Sequence, residues 1–378
     1  MKLPKLAKYP KVSLCTPTFN RRPFYPCLIK CIEQQNYPKD KIEWIIIDDG
    51  TDKIEDLVSH LPYVKYFKYD TKMNLGKKRN LMHEKSKGDI IIYMDDDDYY
   101  PPERISHAVK TLQDNPKILI AGSSILYIYF KHISQMYKFG PYGPTHSTAA
   151  SFAFRRELLL QTSYDENASL AEEKKFLKDY SIPLVQLDPL KTILVFSHVQ
   201  NTFDKKRLLK DAPNPVVQPS SVKIEDIMNG QDEIYNFYVN DIDDILKHYE
   251  AGDVKNKPDV LKQMIEINDT RHKIALKQRE DAILEHQANI AREKLYAQVM
   301  EFKAFQEANG ISEKVLEPVV EKKTIQVPKK QKQKQPEIPL VVTADQIKLA
   351  EEAADKFLKE LDLEEETKKN KNKKNKKK

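Results

Sequence analysis

Four consecutive carboxylates, Asp95, Asp96, Asp97 and Asp98, stand directly behind the apolar run Ile90, Ile91, Ile92, Tyr93 and Met94. Adjacent acids repel one another, and a charge withdrawn from water without a partner is costly, so a folded chain keeps such a cluster only where something neutralises it. A divalent cation does so, and oxygen donors select a hard one, Mg²⁺ or Mn²⁺. A solvated acidic loop would need no cation, but the continuous apolar approach reads as a central strand, and α/β proteins build sites at the ends of such strands. A second acidic pair, Asp48-Asp49, closes the apolar run IEWIII and leads into Gly50-Thr51. Two parallel strands ending in acids at one sheet edge make a nucleotide pocket. Asp48 or Asp49 would accept from a base or ribose, while Asp95 and Asp97 would hold the cation facing a diphosphate.

Two other acidic motifs compete for the same residues. An EF-hand loop beginning at Asp95 needs Gly at its sixth position and Glu at its twelfth, where this chain has Tyr100 and Ser106, so that reading fails. Tyr93, Met94, Asp95 and Asp96 spell YMDD, the catalytic signature that reverse transcriptases carry on a hairpin, which makes a two-metal nucleotidyltransferase a competitor. Against it, Pro101-Pro102-Glu103 and a helical pattern follow the acids, and only 94 residues precede Asp95.

The elements that must position these acids alternate in type. KVSLCTP, IEWIIIDDG, YVKYFKY and GDIIIYMDDDD read as strands. Helices are expected near Pro26 to Gln35, from Leu75 to Lys87, and from Pro101 to about Gln113. This βαβ rhythm predicts a mostly parallel sheet. KILIAGSSILYIYF and KHISQMYKF add strands, GPYGPTHST is a loop, AEEKKFLKDY is helix-like, and KTILVFSH is a last strand. APNPVVQPSS reads as a linker. Beyond it lie helix-like segments, including a long charged stretch from about Pro258 to Ala308 whose irregular apolar spacing suggests a solvated helix.

Composition sets limits on function. The formal charge is +6, yet KKNKNKKNKKK, Lys368 to Lys378, holds eight lysines and no acid, so the rest of the chain carries −2. A nucleic-acid-binding protein would need its basic patch on the folded part; the tail supports only salt-sensitive attraction to an anionic surface, or serves as a solubilising tail. Cys15, Cys27 and Cys31 are too few and wrongly spaced for a disulfide framework or zinc site, which implies a reducing compartment. No signal peptide or membrane-spanning run is visible, so a soluble, cytoplasmic protein is expected.

TPTFNRRP, IIIDDGTD, NLGKKRN and MDDDDYYPPERI, in that order, resemble glycosyltransferase family 2, whose members are inverting enzymes of the GT-A fold. The resemblance covers about residues 10 to 205. It implies an α/β fold, a Rossmann-like, mostly parallel sheet with helices on both faces, followed by an α-helical extension and a disordered basic tail. It also implies a nucleotide-sugar donor such as a UDP-sugar, a protein or glycan acceptor, and Mn²⁺ or Mg²⁺ at Asp95 and Asp97, with His198 as a third ligand or diphosphate contact. Donor contacts would come from Thr16, Pro17, Asp48, Asp49, Arg79 and Asp96, although NLGKKRN is shorter than the family's usual segment, which affects the role of Arg79. The family takes its base from an acidic pair opening a late helix, a place filled here by Glu172-Glu173, with Glu173 the preferred base. The Lys/Asn-rich style resembles the members carried by large DNA viruses, for which the compartment would be a host cytoplasm. A non-catalytic scaffold of the same fold is the alternative from another class. The expected division is 1–210 for the transferase domain, 211–222 linker, 223–316 helical extension, 317–342 low-complexity linker, 343–363 amphipathic helix and 364–378 polybasic tail.

Overall fold

A computed structural model describes residues 5–202, 204–209 and 214–309. The expected low-complexity linker, final amphipathic helix and polybasic tail lie outside the described residues. By its contacts the chain divides into two units, Met1–Ala291 and Arg292–Lys378. In the second unit the described residues are the end of one long helix.

The first unit opens with β1 (Val12–Thr18), α1 (Tyr25–Glu33), β2 (Ile42–Asp48), the short α2 (Glu55–Val58), β3 (Val64–Lys68), α3 (Leu75–Lys85), β4 (Ile90–Tyr93) and α4 (Arg104–Asp114). Every residue of β1, β2 and β4 is buried, as a strand covered on both faces requires. β5 (Ile120–Gly122), β8 (Ala153–Arg155) and β9 (Leu184–Gln186) extend the sheet, whose order is β3-β2-β1-β4-β8-β5-β9. β3, β2, β1 and β4 run parallel, and β8 pairs antiparallel with β4 and β5. β4 is thus a parallel strand followed by a helix, not one arm of the hairpin that the nucleotidyltransferase reading of YMDD needs. The α/β expectation holds, with a helical C-terminal segment.

A second sheet carries the order β10-β6-β7-β11, from β6 (Leu126–Phe130), β7 (Gln135–Phe139), β10 (Leu194–Ser197) and β11 (Val217–Pro219). β11 falls inside the expected linker. Its prolines suggested a break, but a strand pairing through one edge tolerates them, and β11 pairs antiparallel with β7. The helices after it, α6 (Ile224–Ile227), α7 (Asp232–Asn236) and α8 (Ile242–Lys247), do not stand apart from the first sheet. Ile224, Met228, Ile234, Tyr238, Ile242 and Leu246 are buried in the cluster that also holds Leu14, Phe24 and Ile92. Tyr238 stacks on Phe196 with ring centroids 3.9 Å apart.

The helix-like AEEKKFLKDY forms a single turn, α5 (Glu173–Phe176). Lys178, Asp179 and Tyr180 each take left-handed backbone angles, which stop the helix. The chain ends, as described, in α9 (Pro258–Ala308), an exposed helix whose surface leucines and isoleucines form no continuous seam. None of the described helices is long and apolar enough to cross a membrane.

Candidate functional site

The carboxyl ends of β1 and β4 face a cavity of about 130 Å³ lined by Pro17, Arg21, Lys78, Arg79, Asp95, Asp96, Asp97 and Lys257, with further residues of the β3–α3 loop and the start of α9. The four aspartates leave β4 in a turn and divide their partners. Asp95 faces Arg79, whose two terminal nitrogens approach its oxygens at 3.5 Å each. Asp96 lies 3.5 Å from Arg21 Nε, and Asp97 lies 3.3 Å from Arg21 Nη2. Asp98 turns inward and accepts from the Phe196 backbone at 3.4 Å. Burial pushes Asp98 well above the usual carboxylate range, and the charge of Asp97 adds to the effect. Asp97 is held well below that range by Arg21 and His198, which outweigh the opposing effect of its burial. The run is therefore not four free charges. Protein cations and inward burial share its neutralisation.

β10 brings His198 to this edge. A bridge between Tyr99 and Leu194, with N–H to carbonyl distances of 3.0 and 2.9 Å, ties the turn after the aspartates to β10, and His198 follows that strand. Its Nε2 lies 3.2 Å from Asp97 Oδ2. Burial lowers its pKa to about 4, so the ring is neutral near pH 7 and suited to ligation. The same nitrogen lies 2.7 Å from Asn201 Nδ2. Gln200 N donates to Nδ1 at 3.3 Å, so a cation at Nε2 would require the ring proton to move to Nδ1 and would take the lone pair that the Asn201 amide now faces. Adjacent donors on an octahedron with bonds of about 2.1 Å stand about 3.0 Å apart, close to the observed separation. The donor types fit a hard divalent cation at Asp97 and His198, with Asp95 on the same cavity wall. Among the described residues no three His, Cys, Asp or Glu side chains are already grouped as a metal site.

Several residues expected to meet the donor are occupied inside the fold. Thr16 is fully buried; its hydroxyl donates to the Met94 carbonyl at 2.7 Å and accepts from Trp44 Nε1 at 2.9 Å, which locks β1, β2 and β4 together. Asp48 accepts from the Gly50 and Ile54 backbone and, at 2.6 Å, from the Tyr66 hydroxyl, and so braces the β2 turn. Asp49 accepts from Met73 N at 2.6 Å and pairs with Lys78 at 2.6 Å, so it positions a cation of the cavity instead of facing it. Pro17, Arg79 and Asp96 do line the cavity.

Arg79 is buried over the Tyr93 ring, 4.5 Å from its centroid, and donates from Nε to Glu172 at 2.8 Å. It bridges the aspartate turn and the acidic pair. Glu173 lies beside Glu172 with no hydrogen bond to Arg79 among those described, and burial followed by the Glu172 charge pushes its carboxyl up to about 7. Ala171, just before the pair, holds a left-handed φ of 53°, a conformation that costs a non-glycine residue energy. Neither glutamate lines the cavity itself.

Sequence reasoning missed Asn20, Arg21, Lys257 and Asp259. Asn20 and Arg21 stand within TPTFNRRP, where their side-chain roles had no periodic signal. Asn20 Oδ1 accepts from the Thr51 and Asp52 backbone at 2.7 and 2.9 Å, and its Nδ2 donates to the Ala251 carbonyl at 2.9 Å. Lys257 and Asp259 come from far along the chain, and nothing local marks them.

An acid-rich sheet edge with converging arginines and lysines thus lies at the carboxyl ends of β1 and β4. The profile of the family described as Glycosyl transferase family 2 matches residues 13–162. An uncharacterized glycosyltransferase of Haemophilus influenzae is 29% identical over 108 residues, covering 28% of this chain and 36% of that protein. The poly(ribitol-phosphate) beta-N-acetylglucosaminyltransferase TarS of Staphylococcus aureus is 26% identical over 118 residues, covering 28% and 19%. The chain thus spans well under half the length of either relative. Among solved structures, S. aureus TarS 1–349 gives a TM-score of 0.41 at 19% identity, covering 50% of this chain and 60% of that one. The mannosyltransferase PcManGT from Pyrobaculum calidifontis, in complex with GDP-Man and Mn2+, gives 0.42 at 16%, covering 55% and 67%.

Proposed function

We propose that the protein is an inverting glycosyltransferase that moves a sugar from a nucleotide-sugar donor, a UDP-sugar, to a hydroxyl of a protein or glycan acceptor. The observation that carries this reading is one cavity at the sheet edge in which Asp95, Asp96 and Asp97 meet Arg21, Lys78 and Arg79. Acids suit a cation, and the surrounding bases suit a diphosphate. Asp95, Asp97 and His198 would hold Mn²⁺ or Mg²⁺, which when bound supplies Lewis-acid neutralisation of the departing diphosphate.

Inversion needs a base on the face opposite the leaving group. Glu173 takes the acceptor proton as the hydroxyl oxygen bonds to the anomeric carbon and the bond to the diphosphate oxygen breaks. A carboxyl raised to about 7 is a stronger base than an ordinary one and is still half ionised at neutral pH. Glu172, fixed by Arg79 at 2.8 Å, orients the turn.

The compartment we propose is cytoplasmic, with the Lys368–Lys378 tail attracted to anionic surfaces. Kinship with the transferases of large DNA viruses rests on the Lys/Asn-rich style alone, and the Haemophilus and Staphylococcus relatives lend it no support. The deciding experiment is a panel of nucleotide sugars with Mn²⁺, read as release of nucleoside diphosphate without acceptor. One donor should be hydrolysed in a cation-dependent way. If none is bound or hydrolysed, the catalytic reading fails and the inert scaffold replaces it.

A further inference from the structure

The segment just before α9 and the first turns of that helix cross the mouth of the cavity. Tyr249 donates its hydroxyl to Asp52 at 2.9 Å, Ala251 accepts from Asn20, and Gln200 donates to the Leu246 and Tyr249 carbonyls. Further along, Asp259 sits between Lys72 at 2.5 Å and the Ser169 hydroxyl at 2.6 Å, and Gln263 accepts from Ser169 N at 2.8 Å. Gly252 packs closely here: a Cβ would stand 2.1 Å from Gln200 Oε1 and 3.0 Å from the Asn20 carbonyl, so the Gln200 side chain would have to move. Residues 249–263 thus tie together the loops after β1, β2, β3 and β10 and the loop before the acidic pair.

This segment delivers one cation whose situation differs from the others. In the cavity wall Arg21 is paired with Asp96 and Asp97, Arg79 with Asp95 and Glu172, Lys78 with Asp49, and Lys72 with Asp259. Lys257 is only 5% exposed, lines the cavity, and among the described residues has as its hydrogen-bond partner the Thr202 hydroxyl at 3.2 Å, with no ion pair. An ammonium offers three donors, and burying it without a counter-ion is costly unless an anion is its working partner. Burial lowers its pKa to about 7, and the neighbouring Asp96 and Asp97 oppose that shift.

We propose that Lys257 is a donor-site residue that contacts the diphosphate of the nucleotide, so that the start of α9, outside the family-matched segment, completes the binding site. The inference rests on the nucleotide-sugar reading above and adds a residue to it. A diphosphate in this cavity would meet Lys257 on one wall, while Asp95 and Asp97 on the other would be the residues to hold a cation. As the sugar departs and negative charge gathers on the diphosphate, the ammonium strengthens its hold, which favours the leaving group.

The test uses the full chain with Mn²⁺ and compares binding of UDP, GDP, pyrophosphate and uridine to wild type, Lys257→Met, Lys257→Gln and Lys257→Arg, with thermal unfolding as a check on folding. Lys257→Met and Lys257→Gln should weaken binding of the preferred nucleoside diphosphate and of pyrophosphate about tenfold or more, leave competition by uridine unchanged, and lower kcat more than they raise KM. Lys257→Arg should restore most of the affinity. If wild type binds a nucleoside diphosphate and the Met and Gln variants bind it equally well, the inference is overturned while the transferase reading stands. Equal loss of uridine and diphosphate binding would also overturn it, since that marks a structural lysine. If wild type binds no nucleoside diphosphate at all, the transferase reading falls and this inference with it.

Discussion

Glu172 and Glu173 are adjacent in sequence and chemically alike, yet the fold gives them different work. Arg79 holds one at 2.8 Å, while burial and the neighbouring charge lift the other to about 7. Glu173→Gln should lower kcat by roughly 10²- to 10⁴-fold with little change in nucleotide affinity. Retention of more than about a tenth of kcat would place the base elsewhere. The base must be ionised, so wild-type kcat should rise with pH up to about 7 and then level, and the Gln variant should lack that limb. Stability runs the other way. A carboxyl whose folded pKa is raised stabilises the fold below its unfolded value of 4.5 relative to higher pH, and that contribution is lost as pH rises through about 7. The melting temperature of Glu173→Gln relative to wild type should therefore increase between pH 5 and pH 8; an unchanged difference would contradict the raised pKa. At Asp97 the expectation is separate: Asp97→Ala should keep the fold, because Arg21 retains Asp96, but lose the Mn²⁺ dependence of UDP binding. UDP titrations with the same Mn²⁺ response in both proteins would remove Asp97 from the cation site. The acids were legible because carboxylates behind an apolar run are costly anywhere else. Thr16 and Asp48 show what the sequence could not display: a polar side chain at a strand end can also bond the neighbouring strands, as both do here.

At the scale of elements, the first four strands and α1, α3 and α4 were legible, since continuous apolar runs and 3.6-residue periods are local signals, while the single turn α2 was not. α5 was not. Its sequence is helix-like, but the backbone turns left-handed from Lys178 to Tyr180, a choice made by packing. α3 also depends on a close contact that sequence does not display. A Cβ on Gly76, in its first turn, would stand 1.9 Å from the Asp165 carbonyl oxygen, so the helix carrying Lys78 and Arg79 can dock against the loop before Glu172 only with glycine there. Gly76→Ala should cost about 1–3 kcal/mol of stability and reduce kcat by displacing Arg79, measured by denaturant unfolding and steady-state rates. A variant with wild-type stability and turnover would show that the loop yields freely. β11 was hidden by its prolines, whereas the segment holding α7 and α8 read as helical without showing what it packs against. They are held by tertiary burial, which no window of the sequence contains.

For the whole molecule, the expected boundary near residue 211 does not coincide with a break in the core, because Ile224 to Leu246 bury their side chains with those of β1 and β4. Two truncations separate the possibilities. A chain ending at residue 210 should lose cooperative unfolding and bind a dye for exposed apolar surface, while deletion of Lys368 to Lys378 should leave turnover on a small soluble acceptor unchanged and weaken attachment to anionic vesicles in a salt-dependent way. A cooperative fold for the shorter chain would restore the earlier boundary. Loss of small-acceptor activity in the longer one would assign the tail to the site.

The closure of the cavity by residues 249–263 also has a consequence for synthesis. The ribosome makes β1 to β8 first, but the residues that tie their loops together emerge roughly 100 positions after the family-matched segment ends, about 5 to 20 s later at ordinary elongation rates. During that interval the nascent chain has its sheet edge and its clustered aspartates without the segment that covers them. Its apolar faces, which the 224–246 helices later bury, are open to chaperones and to other chains on the same message. Stalled nascent chains ending before and after residue 260, allowing for the exit tunnel, should therefore differ sharply in protease resistance, and rare codons between these points would lengthen the exposed period and lower the yield of folded protein.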